Sequence, residues 1–546
     1  MFDVLYTNGK FYTQDSRRPV VNALGIHRGR VISVDDQVAK SMFKRVVDLG
    51  GAPVVPGFND AHCHMTHIGE MSTQVDLRPS TVSSMQKLLS AIESAAEVAA
   101  PGQWIIGAGY DQNFLGNCHP SAEQLDAVSH GHPVYLIHVS RHMGVANTAA
   151  FELAGYPQRR GIQVPDGGAV PQDDEGRAVG LLQETARSLI QDHIPGKDLQ
   201  DVADLVAAGS RELLKLGVTS ITEPGLGAPD HIGMSRFDVA GYQLAKDRGL
   251  LGVRSTVMPY LTTLHPLDDS NVQGHPLYSL DLGLRSGMGD EFLRIGPTKV
   301  LSDGSLIGRS AFMCCDYEID EGNRGYLQFP EQTLRERLIG AHLAGWQLAM
   351  HAIGDAALEV IMDIVAEAQQ LMPRPDARHR IEHASMSSDR QIARMVQLGL
   401  VPVPQGRFIH ELGDGVRAAV GEERQPLAYR ARGFLDAGLV IPGSTDAPVV
   451  SADPILNIDA LVNRTTSSGQ PFTDAERLTV AEAVYAYTVG SAYAVHEETY
   501  KGKLLPGYLA DFVVLSQDLY KIHSADIAKT KVLATVVGGE VSHGTL

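Results

Sequence analysis

The chain has 546 residues, of which 44% are apolar, and its formal net charge is −18. This length can bury a large core, and the composition is ordinary for a globular protein. The acidic balance provides no positive field for nucleic acid or for an anionic membrane, so both are excluded as partners.

Both ends of the chain contain short apolar runs separated by turn residues, a pattern typical of strands. We predict that residues 1–53 and 497–546 together form one small β-sandwich, because the two ends of a domain often lie close together. The alternative is that each end forms a separate small cap.

Between these ends, strand patterns alternate with amphipathic helices, which indicates an α/β fold with a parallel sheet. The predicted strands are Val54–Phe58, Val218–Glu223, Val253–Met258, Ile295–Leu301, Gln347–His351, His379–His383, Leu400–Pro404 and Leu439–Gly443. Eight such units predict a TIM-like (β/α)8 barrel, with its first strand in 54–64 and the remainder in 202–496. An open doubly wound sheet would also alternate, but it would not readily bring the ends of distant strands to one point.

A long segment, residues 65–201, separates the first predicted strand from the second. It is an insertion on a strand-to-helix loop, and such loops lie at the catalytic face of a barrel. We therefore predict that this insertion caps the active site.

Side chains of the metal-ligand type follow these predicted strands. His62 and His64 lie two residues apart on an extended segment, so both imidazoles face one side and can bind one cation. His351 and His383 each end a buried apolar strand, and Asp446 ends the last one. A single strand-end histidine is more often a core residue that bonds to the backbone. The whole set, however, predicts a metal centre at the strand ends.

Lys299 lies in the fourth predicted strand, where its ammonium group would be repelled by a cation. Two interpretations fit this position. Lys299 could pair with Asp303 or Glu223, or it could react with CO₂ to form a carbamate that bridges two divalent ions. We favour the carbamate. Glu223, which ends the second predicted strand, is the alternative bridge, and a substrate contact or a structural ion pair is equally compatible with it.

The local motifs resemble those of the metal-dependent amidohydrolase superfamily, in particular its YtcJ-like branch, which includes N-substituted formamide deformylases. The matching segments are Pro-Gly-Phe-Asn-Asp-Ala-His-Cys-His, Lys-Val-Leu-Ser-Asp-Gly-Ser, His-Ala-Ile-Gly-Asp, Arg-Ile-Glu-His-Ala and Gly-Ser-Thr-Asp-Ala-Pro. The resemblance covers nearly the whole chain. It implies two ions, of which one is held by His62 and His64, the other by His351 and His383, with carboxylated Lys299 as the bridge.

Two positions depart from the family pattern. The last motif has one extra residue before Asp446, since the usual form is Gly-Ser-Asp. Tyr110 stands where tryptophan is common.

Zinc suits imidazole and carboxylate ligands, so the expected cofactor is a pair of Zn²⁺ ions bridged by carboxylated Lys299. We expect a metal-activated hydroxide to attack an amide carbonyl, with Asp446 as general base and then general acid. The expected enzyme is an amidohydrolase that acts on carbon–nitrogen bonds other than peptide bonds, with a linear N-formyl or N-acyl amide as its substrate.

Several polar side chains are candidates for substrate contact, although an ordinary loop hydrogen bond explains each of them equally well. The resemblance implies that His142 orients or polarises the substrate carbonyl. The candidates are Tyr110, Asp111, His138, His142, Asn147 and Arg407.

Other functions on the same fold remain as alternatives. Cyclic amide or imidazolone opening and deamination would use the same metal site. A non-catalytic scaffold is a remote alternative, because its usual mark is the loss of metal ligands, and none is missing here.

The expected partners are a small-molecule amide and a second copy of the chain in a homodimer, because closed two-fold assemblies are the commonest. The sequence contains no apolar run of the roughly 18 residues that a membrane span needs and no signal-peptide pattern at its start. Its four cysteines form no Cys-x-x-Cys pair. We therefore expect a cytoplasmic protein.

Overall fold

The computed structural model describes residues 1–79, 81–138, 143–165 and 167–546. The chain divides into two compact units, one made of Met1–Thr66 and Leu199–Leu546 and the other of His67–Asp198. Each unit has its own buried apolar clusters. Within the described part of the chain, no helix is both long and apolar enough to cross a membrane.

Two sheets of the larger unit are built from strands near the chain ends, and the second of them combines strands from both ends. One has the order Arg30–Val34, Leu24–His27, Phe2–Thr7 and Phe43–Asp48. The other has the order Glu540–Gly544, Val532–Val537, Phe512–Leu515, Pro53–Pro56, Lys10–Tyr12 and Val20–Val21. Buried side chains of both sheets pack in one apolar cluster, in which the rings of Tyr6 and Phe512 lie 5.0 Å apart between centroids. Strands from the two chain ends therefore share one core.

The same unit contains parallel strands of a TIM-barrel-type fold. One sheet has the order Leu293–Ile295, Arg254–Pro259, Val218–Leu226 and Phe58–Asp60. Another has the order Thr298–Leu301, Leu348–Ala352, Arg380–His383 and Val401–Val403. A parallel bridge between Tyr260 and Lys299 joins the two sheets. Because the neighbours are parallel, the carboxyl ends of these strands lie on one face.

The predicted first barrel strand, within 54–64, is divided at Gly57. Pro53–Pro56 pairs with Lys10–Tyr12 and Phe512–Leu515, whereas Phe58–Asp60 pairs with Val218–Leu226. A Cβ atom at Gly57 would lie 2.1 Å from the hydroxyl oxygen of Thr219, so only glycine permits this close approach. The change of partner sheet at Gly57 therefore corrects the prediction of one continuous barrel strand.

The last predicted strand, Leu439–Gly443, is not a regular strand. Pro442 has no N–H group and cannot contribute a donor to a ladder. Individual hydrogen-bonded contacts, and not a strand ladder, join this segment to the neighbouring parts of the fold. Ser444 makes a parallel bridge with Gln405, and the Gly443 carbonyl oxygen accepts a hydrogen bond from the Ala61 N–H (2.9 Å). These contacts connect the edge of the sheet at Val401–Val403 to the segment that follows the strand Phe58–Asp60.

Helices alternate with the barrel strands. Leu199–Lys215 buries Val202, Val206 and Leu213, which recur at helical spacing. Asp389–Leu398 begins with a capping box formed by Ser388 and Gln391. The helices of this unit are Leu199–Lys215, Asp238–Asp247, Glu331–Leu343, Asp355–Leu371, Asp389–Leu398, Arg407–Arg424, Ala431–Asp436, Pro454–Asn463, Val480–Tyr485 and Ser491–Tyr493, and Met65–Thr73 begins directly after His64.

The unit His67–Asp198 contains a mixed sheet. Its order is Gly168–Ala169, Leu181–Glu184, Met143–Ala146, Val134–His138, Ile105–Tyr110 and Val75–Asp76. Ile105–Tyr110 and Val134–His138 run parallel, and their last residues are paired. The helices are Met85–Val98, Ala122–Asp126, Thr148–Leu153 and Ser188–Gln191.

Candidate metal centre

Three predicted ligands, His62, His64 and Asp446, lie together beyond the carboxyl end of the strand Phe58–Asp60. The Nε2 atoms of His62 and His64 lie 3.3 and 3.2 Å from Oδ1 of Asp446. One ligand atom from each of the three residues lies within 4.8 Å of the others, so a single cation can contact all three. Burial raises the pKa of Asp446, but the contacts with His62 and His64 outweigh this effect and hold it well below its usual range.

Hydrogen bonds between Asp60 and Thr445 hold the segment that contains His62 and His64 against the segment that contains Asp446. The Asp60 carboxylate accepts hydrogen bonds from the Thr445 hydroxyl (2.6 Å) and from the backbone N–H groups of Thr445 and His62 (both 3.1 Å). The Asp446 N–H donates to the His62 carbonyl oxygen (2.7 Å). Asp446 has a φ of 59°, a left-handed conformation that its surroundings must maintain in a residue other than glycine. Burial raises the pKa of Asp60 to about 6.

His351 and His383 lie on neighbouring parallel strands, with their ring centroids 4.5 Å apart. Nδ1 of His383 contacts Oε1 of Gln405 (2.8 Å), and Nε2 of His351 contacts the Gly304 carbonyl oxygen (3.0 Å). Burial lowers the pKa of both imidazoles, to about 3 for His383, so both rings are neutral and have a nitrogen lone pair for a metal. The His383 ring lies 5.0 Å from that of His62 between centroids, which connects the two histidine pairs.

Lys299 is 1% exposed in the strand Thr298–Leu301. Its Nζ atom makes no hydrogen bond to any residue that the structure describes, so a hydrogen-bonded pair with Asp303 or Glu223 is not observed. Burial lowers the pKa of the amine to about 8, although neighbouring carboxylates oppose the shift. At neutral pH, the unprotonated form of this amine is therefore far more populated than that of an exposed lysine.

A buried ion pair lies beside His62. Oε2 of Glu382 contacts Nδ1 of His62, and the two Glu382 oxygens accept hydrogen bonds from Nε (2.7 Å) and Nη2 (3.0 Å) of Arg380. Arg380 also donates to the carbonyl oxygen of Ala61 (2.6 Å). Burial raises the pKa of Glu382, but the Arg380 guanidinium and the contact with His62 outweigh burial and lower the pKa below its usual range.

Glu223, the predicted alternative bridge, contacts the start of the helix Met65–Thr73. One carboxylate oxygen accepts a hydrogen bond from the Met65 N–H, and the other accepts one from the Thr66 hydroxyl (2.7 Å). A carboxylate is favourable at this end of a helix because the backbone N–H groups there carry partial positive charge. Burial raises the pKa of Glu223 to about 7.

The donor set fits a divalent metal. It consists of imidazole nitrogens and a carboxylate oxygen, which are the ligands that zinc prefers. Buried polar atoms are normally hydrogen-bonded. Within the described residues, Nδ1 of His351 and Nζ of Lys299 are buried without such a partner, and a metal centre would supply one.

The predicted substrate contacts of the smaller unit have other partners. The Tyr110 hydroxyl contacts Nδ1 of His119 (3.0 Å), and Nε2 of His138 contacts Oε1 of Gln112 (2.6 Å). Asp111 accepts a hydrogen bond from the Asn113 N–H (2.9 Å), which caps a short helical turn. The proposed contacts of these side chains with substrate stay predictions.

Asn147, Arg407 and His142 complete the predicted set. Asn147 caps the helix Thr148–Leu153, and its side chain bonds to the backbone of Val134 (2.9 Å) and His132 (2.9 Å). Nε of Arg407 pairs with the Glu411 carboxylate at 2.8 Å in the same helix. His142 lies outside the described residues. A role in substrate binding stays a prediction for all three.

Sequence analysis did not single out Thr445, Arg380, Glu382 or Gln405, although all four contact predicted ligands or their neighbours. One local signal was available. Arg380 and Glu382 are two residues apart on a strand, so their side chains face the same way and can pair. Nothing local indicated that the pair would contact His62.

The parallel strands, with imidazole and carboxylate donors at or beyond their carboxyl ends, define a metal-dependent hydrolase of the TIM-barrel type. Comparison with known proteins gives the family. Residues 45–543 match the sequence model of the amidohydrolase family, so the chain belongs to this family. It is accordingly an enzyme that hydrolyses carbon–nitrogen bonds other than peptide bonds.

Three relatives match most of the chain. It is 30% identical to Protein LONG AFTER FAR-RED 3 of Arabidopsis thaliana, over 98% of this chain and 91% of the relative. It is 29% identical to the putative amidohydrolase YtcJ of Bacillus subtilis, over 91% and 90%. It is 26% identical to the N-substituted formamide deformylase of Arthrobacter pascens, over 99% and 98%. The predicted resemblance to the YtcJ-like amidohydrolases and to the deformylases is thereby confirmed.

Among solved structures, the chain is similar to an uncharacterized metal-dependent hydrolase from Pyrococcus horikoshii. The identity is 28%, the TM-score is 0.75, and the match covers 96% of this chain and 99% of that one. The fold and the metal-dependent class therefore agree with the family assignment.

Proposed function

We propose that the protein hydrolyses a linear amide, with an N-formyl or N-acyl compound as its substrate. The observation that carries the proposal is the convergence of His62, His64 and Asp446, whose ligand atoms lie within 4.8 Å of one another. The similarity to an N-substituted formamide deformylase over nearly the full length of both chains supports the substrate class.

The proposed cofactor is a pair of Zn²⁺ ions. His62, His64 and Asp446 would hold one ion, and His351 and His383 the other. When bound, the metal supplies Lewis acidity, which polarises a carbonyl group and makes water a nucleophile near neutral pH. We also propose that the eight strand segments close into one barrel and that the terminal sheets form one β-sandwich, with two chains in a homodimer.

Lys299 would carry the anionic bridge. In this step the nitrogen lone pair of the neutral amine would attack the carbon of CO₂, a nitrogen–carbon bond would form while one carbon–oxygen π bond breaks to leave its electron pair on oxygen, and the amine would lose one proton to water. The reaction needs the unprotonated amine. The lowered pKa of Lys299, about 8, supplies that form at a pH where an exposed lysine is almost entirely protonated.

Asp446 would move the proton of the reaction. Its Oδ1 atom faces the Nε2 atoms of both His62 and His64, and an ionised carboxylate at this position has lone pairs that can accept a proton from the attacking water. The same carboxyl group would then deliver that proton to the leaving nitrogen. His142 is proposed to orient the substrate carbonyl, with Tyr110, Asp111, His138, Asn147 and Arg407 as further substrate contacts.

The substrate proposal is tested by supplying N-formyl, N-acyl and cyclic amides to zinc-loaded protein and by identifying the products. Formate or another acid together with an amine is the expected result. A ring-opened acid would indicate a cyclic amide or imidazolone hydrolase, and ammonia would indicate a deaminase. Either of these outcomes, without hydrolysis of a linear amide, would contradict the proposal.

Replacing Asp446 by Asn tests the proton transfer. The amide keeps an oxygen that can face the metal but accepts no proton, so much of the zinc should remain while kcat falls by at least about 10²–10⁴-fold. Zinc content by elemental analysis and turnover on the same sample provide the measurement. Wild-type turnover in Asp446→Asn would show that another group moves the proton.

A further inference from the structure

The ion pair of Arg380 and Glu382 has no solvent-exposed side. Both side chains are 0% exposed, and they are the first and third residues of the strand Arg380–His383. A buried ion pair is weak evidence for stability, because the loss of hydration offsets the attraction between the charges. Apolar residues of similar volume would serve as well in a core. The contacts of the pair therefore indicate another role.

Those contacts converge on His62. Glu382 contacts Nδ1 of the His62 ring, while Arg380 holds both Glu382 oxygens and the carbonyl oxygen of Ala61, the residue before His62. The side chain and the backbone of one proposed ligand are thus both tied to the same guanidinium.

The geometry also determines which nitrogen faces the metal centre. An ionised carboxylate only accepts hydrogen bonds, so the contact with Glu382 requires the hydrogen on Nδ1 of His62. The lone pair of the neutral ring then lies on Nε2, the atom that faces Asp446 at 3.3 Å. A ring that rotated, or carried its hydrogen on Nε2, would not present a ligand atom there.

We propose that Glu382 and Arg380 are positioning residues for the metal, which hold His62 in the one tautomer and orientation that can bind a cation. The inference rests on the proposed metal centre. Both residues act through His62, and neither is proposed to contact the substrate.

The chain offers a matched control. Arg254 and Asp511 form a second buried pair, with two contacts of 2.7 and 3.1 Å and side chains 7% and 6% exposed. The side chains of this pair bond to each other and to the backbone of Glu291 and Gly538, and none of these residues is a proposed metal ligand. Asp511→Asn therefore breaks an equivalent pair without touching a proposed ligand.

The test compares zinc binding of wild-type protein, Glu382→Gln and Asp511→Asn by competition with a chromophoric chelator. Glu382→Gln should weaken zinc binding about 10–100-fold, the usual cost of changing a group that orients a ligand. Asp511→Asn should leave zinc affinity unchanged even if it lowers the melting temperature. With cobalt in place of zinc, the visible absorption bands should shift in Glu382→Gln only.

Arg380→Lys provides a second variant if Glu382→Gln does not fold. Lysine keeps the charge but cannot hold both carboxylate oxygens and the Ala61 carbonyl oxygen in the same plane, so zinc binding should weaken in the same direction. Wild-type zinc affinity and an unshifted cobalt spectrum in either folded variant would overturn the inference. Equal losses of affinity in Asp511→Asn would do so as well.

The outcomes separate this inference from the proposed function. A wild-type protein that binds zinc but hydrolyses no linear amide contradicts the proposed substrate, while the affinity comparison still decides the role of Glu382. A wild-type protein that binds no divalent metal would overturn both.

Discussion

Lys299 combines complete burial with an amine that makes no hydrogen bond to a described residue. Burying an unpaired ammonium group is costly, and the lowered pKa of about 8 reflects that cost. The structure offers a comparison in Lys501, which is also buried but donates to the Ser220 hydroxyl (2.8 Å) and pairs with Glu497. The two lysines therefore differ in their partners: described residues of the protein bond to the amine of Lys501 but not to that of Lys299.

This difference predicts the result of removing each amine. Lys299→Ala should lower the zinc content per chain and reduce kcat/KM by more than the roughly 10–100-fold cost of an indirect contact. Lys501→Ala, the control, should lower stability and leave zinc content intact. Carbon-13 NMR after incubation with labelled bicarbonate should show a carbamate signal in wild-type protein that Lys299→Ala lacks. Full zinc content and activity in Lys299→Ala would contradict the bridging role.

At the scale of elements, the segment around Asp446 is held by individual hydrogen bonds in place of a strand ladder. The Thr445 hydroxyl and N–H both donate to Asp60, and the Asp446 N–H donates to the backbone of His62. Thr445 is the residue by which the motif exceeds the usual family pattern. Its contacts explain how the segment accommodates an extra residue and still brings the carboxylate to the histidines.

Thr445→Val should therefore affect both stability and turnover. Valine has the same shape but no hydroxyl, so a buried oxygen of Asp60 loses its 2.6 Å hydrogen bond, at a cost of about 1–3 kcal/mol in the free energy of unfolding. Because Asp446 follows directly, kcat should fall as well. Urea unfolding and steady-state kinetics provide the measurements.

Thr535→Val is the matched control. Thr535 lies in the strand Val532–Val537, and its buried hydroxyl donates to the carbonyl oxygen of Leu214 (2.7 Å) in the helix Leu199–Lys215. This variant should lose stability and keep the turnover of wild-type protein. If Thr445→Val lost no more activity than Thr535→Val, the Asp60–Thr445 contact would have no part in placing Asp446.

At the scale of the whole molecule, buried neutral histidines make stability depend on pH. His379 lies against His342, with Nδ1 of His342 and Nε2 of His379 2.8 Å apart, and burial places the pKa of His379 well below its ordinary value. The unfolded chain takes up a proton near pH 6.5, whereas the folded chain does not. The contribution of neutral His379 to the free energy of unfolding is therefore fully present above pH 6.5. It decreases as the pH falls from 6.5 toward the pKa that His379 has in the folded chain.

Unfolding by urea should consequently require less denaturant at pH 5 than at pH 8, with a contribution from His379 of up to about 1.4 kcal/mol for each pH unit below 6.5. The metal-free protein is the sample of choice, because bound zinc adds its own pH dependence. In His379→Gln, which has no titrating group, the slope between pH 5 and pH 6.5 should be smaller. An unchanged slope would assign the effect to other groups.

The sequence allowed the class of fold and the ligand types to be predicted, because both follow from local patterns. Alternation of strands and helices indicates a parallel sheet, and His62-x-His64 alone places two imidazoles on one side. The division at Gly57 was not predictable, since an apolar run does not reveal which sheet it pairs with. Glu382 was missed for a similar reason: its partner His62 lies 320 residues away, and only the folded chain brings them together.

The pairing of Pro53–Pro56 with both Lys10–Tyr12 and Phe512–Leu515 has a consequence for biosynthesis. A ribosome delivers the amino-terminal strands first, and they must wait, one edge unpaired, until almost the entire polypeptide has emerged. During that interval the edge of Pro53–Pro56 that pairs with Phe512–Leu515 has no partner strand, and unpaired strand edges favour aggregation. This sheet can therefore be completed only after Phe512–Leu515 has been synthesised.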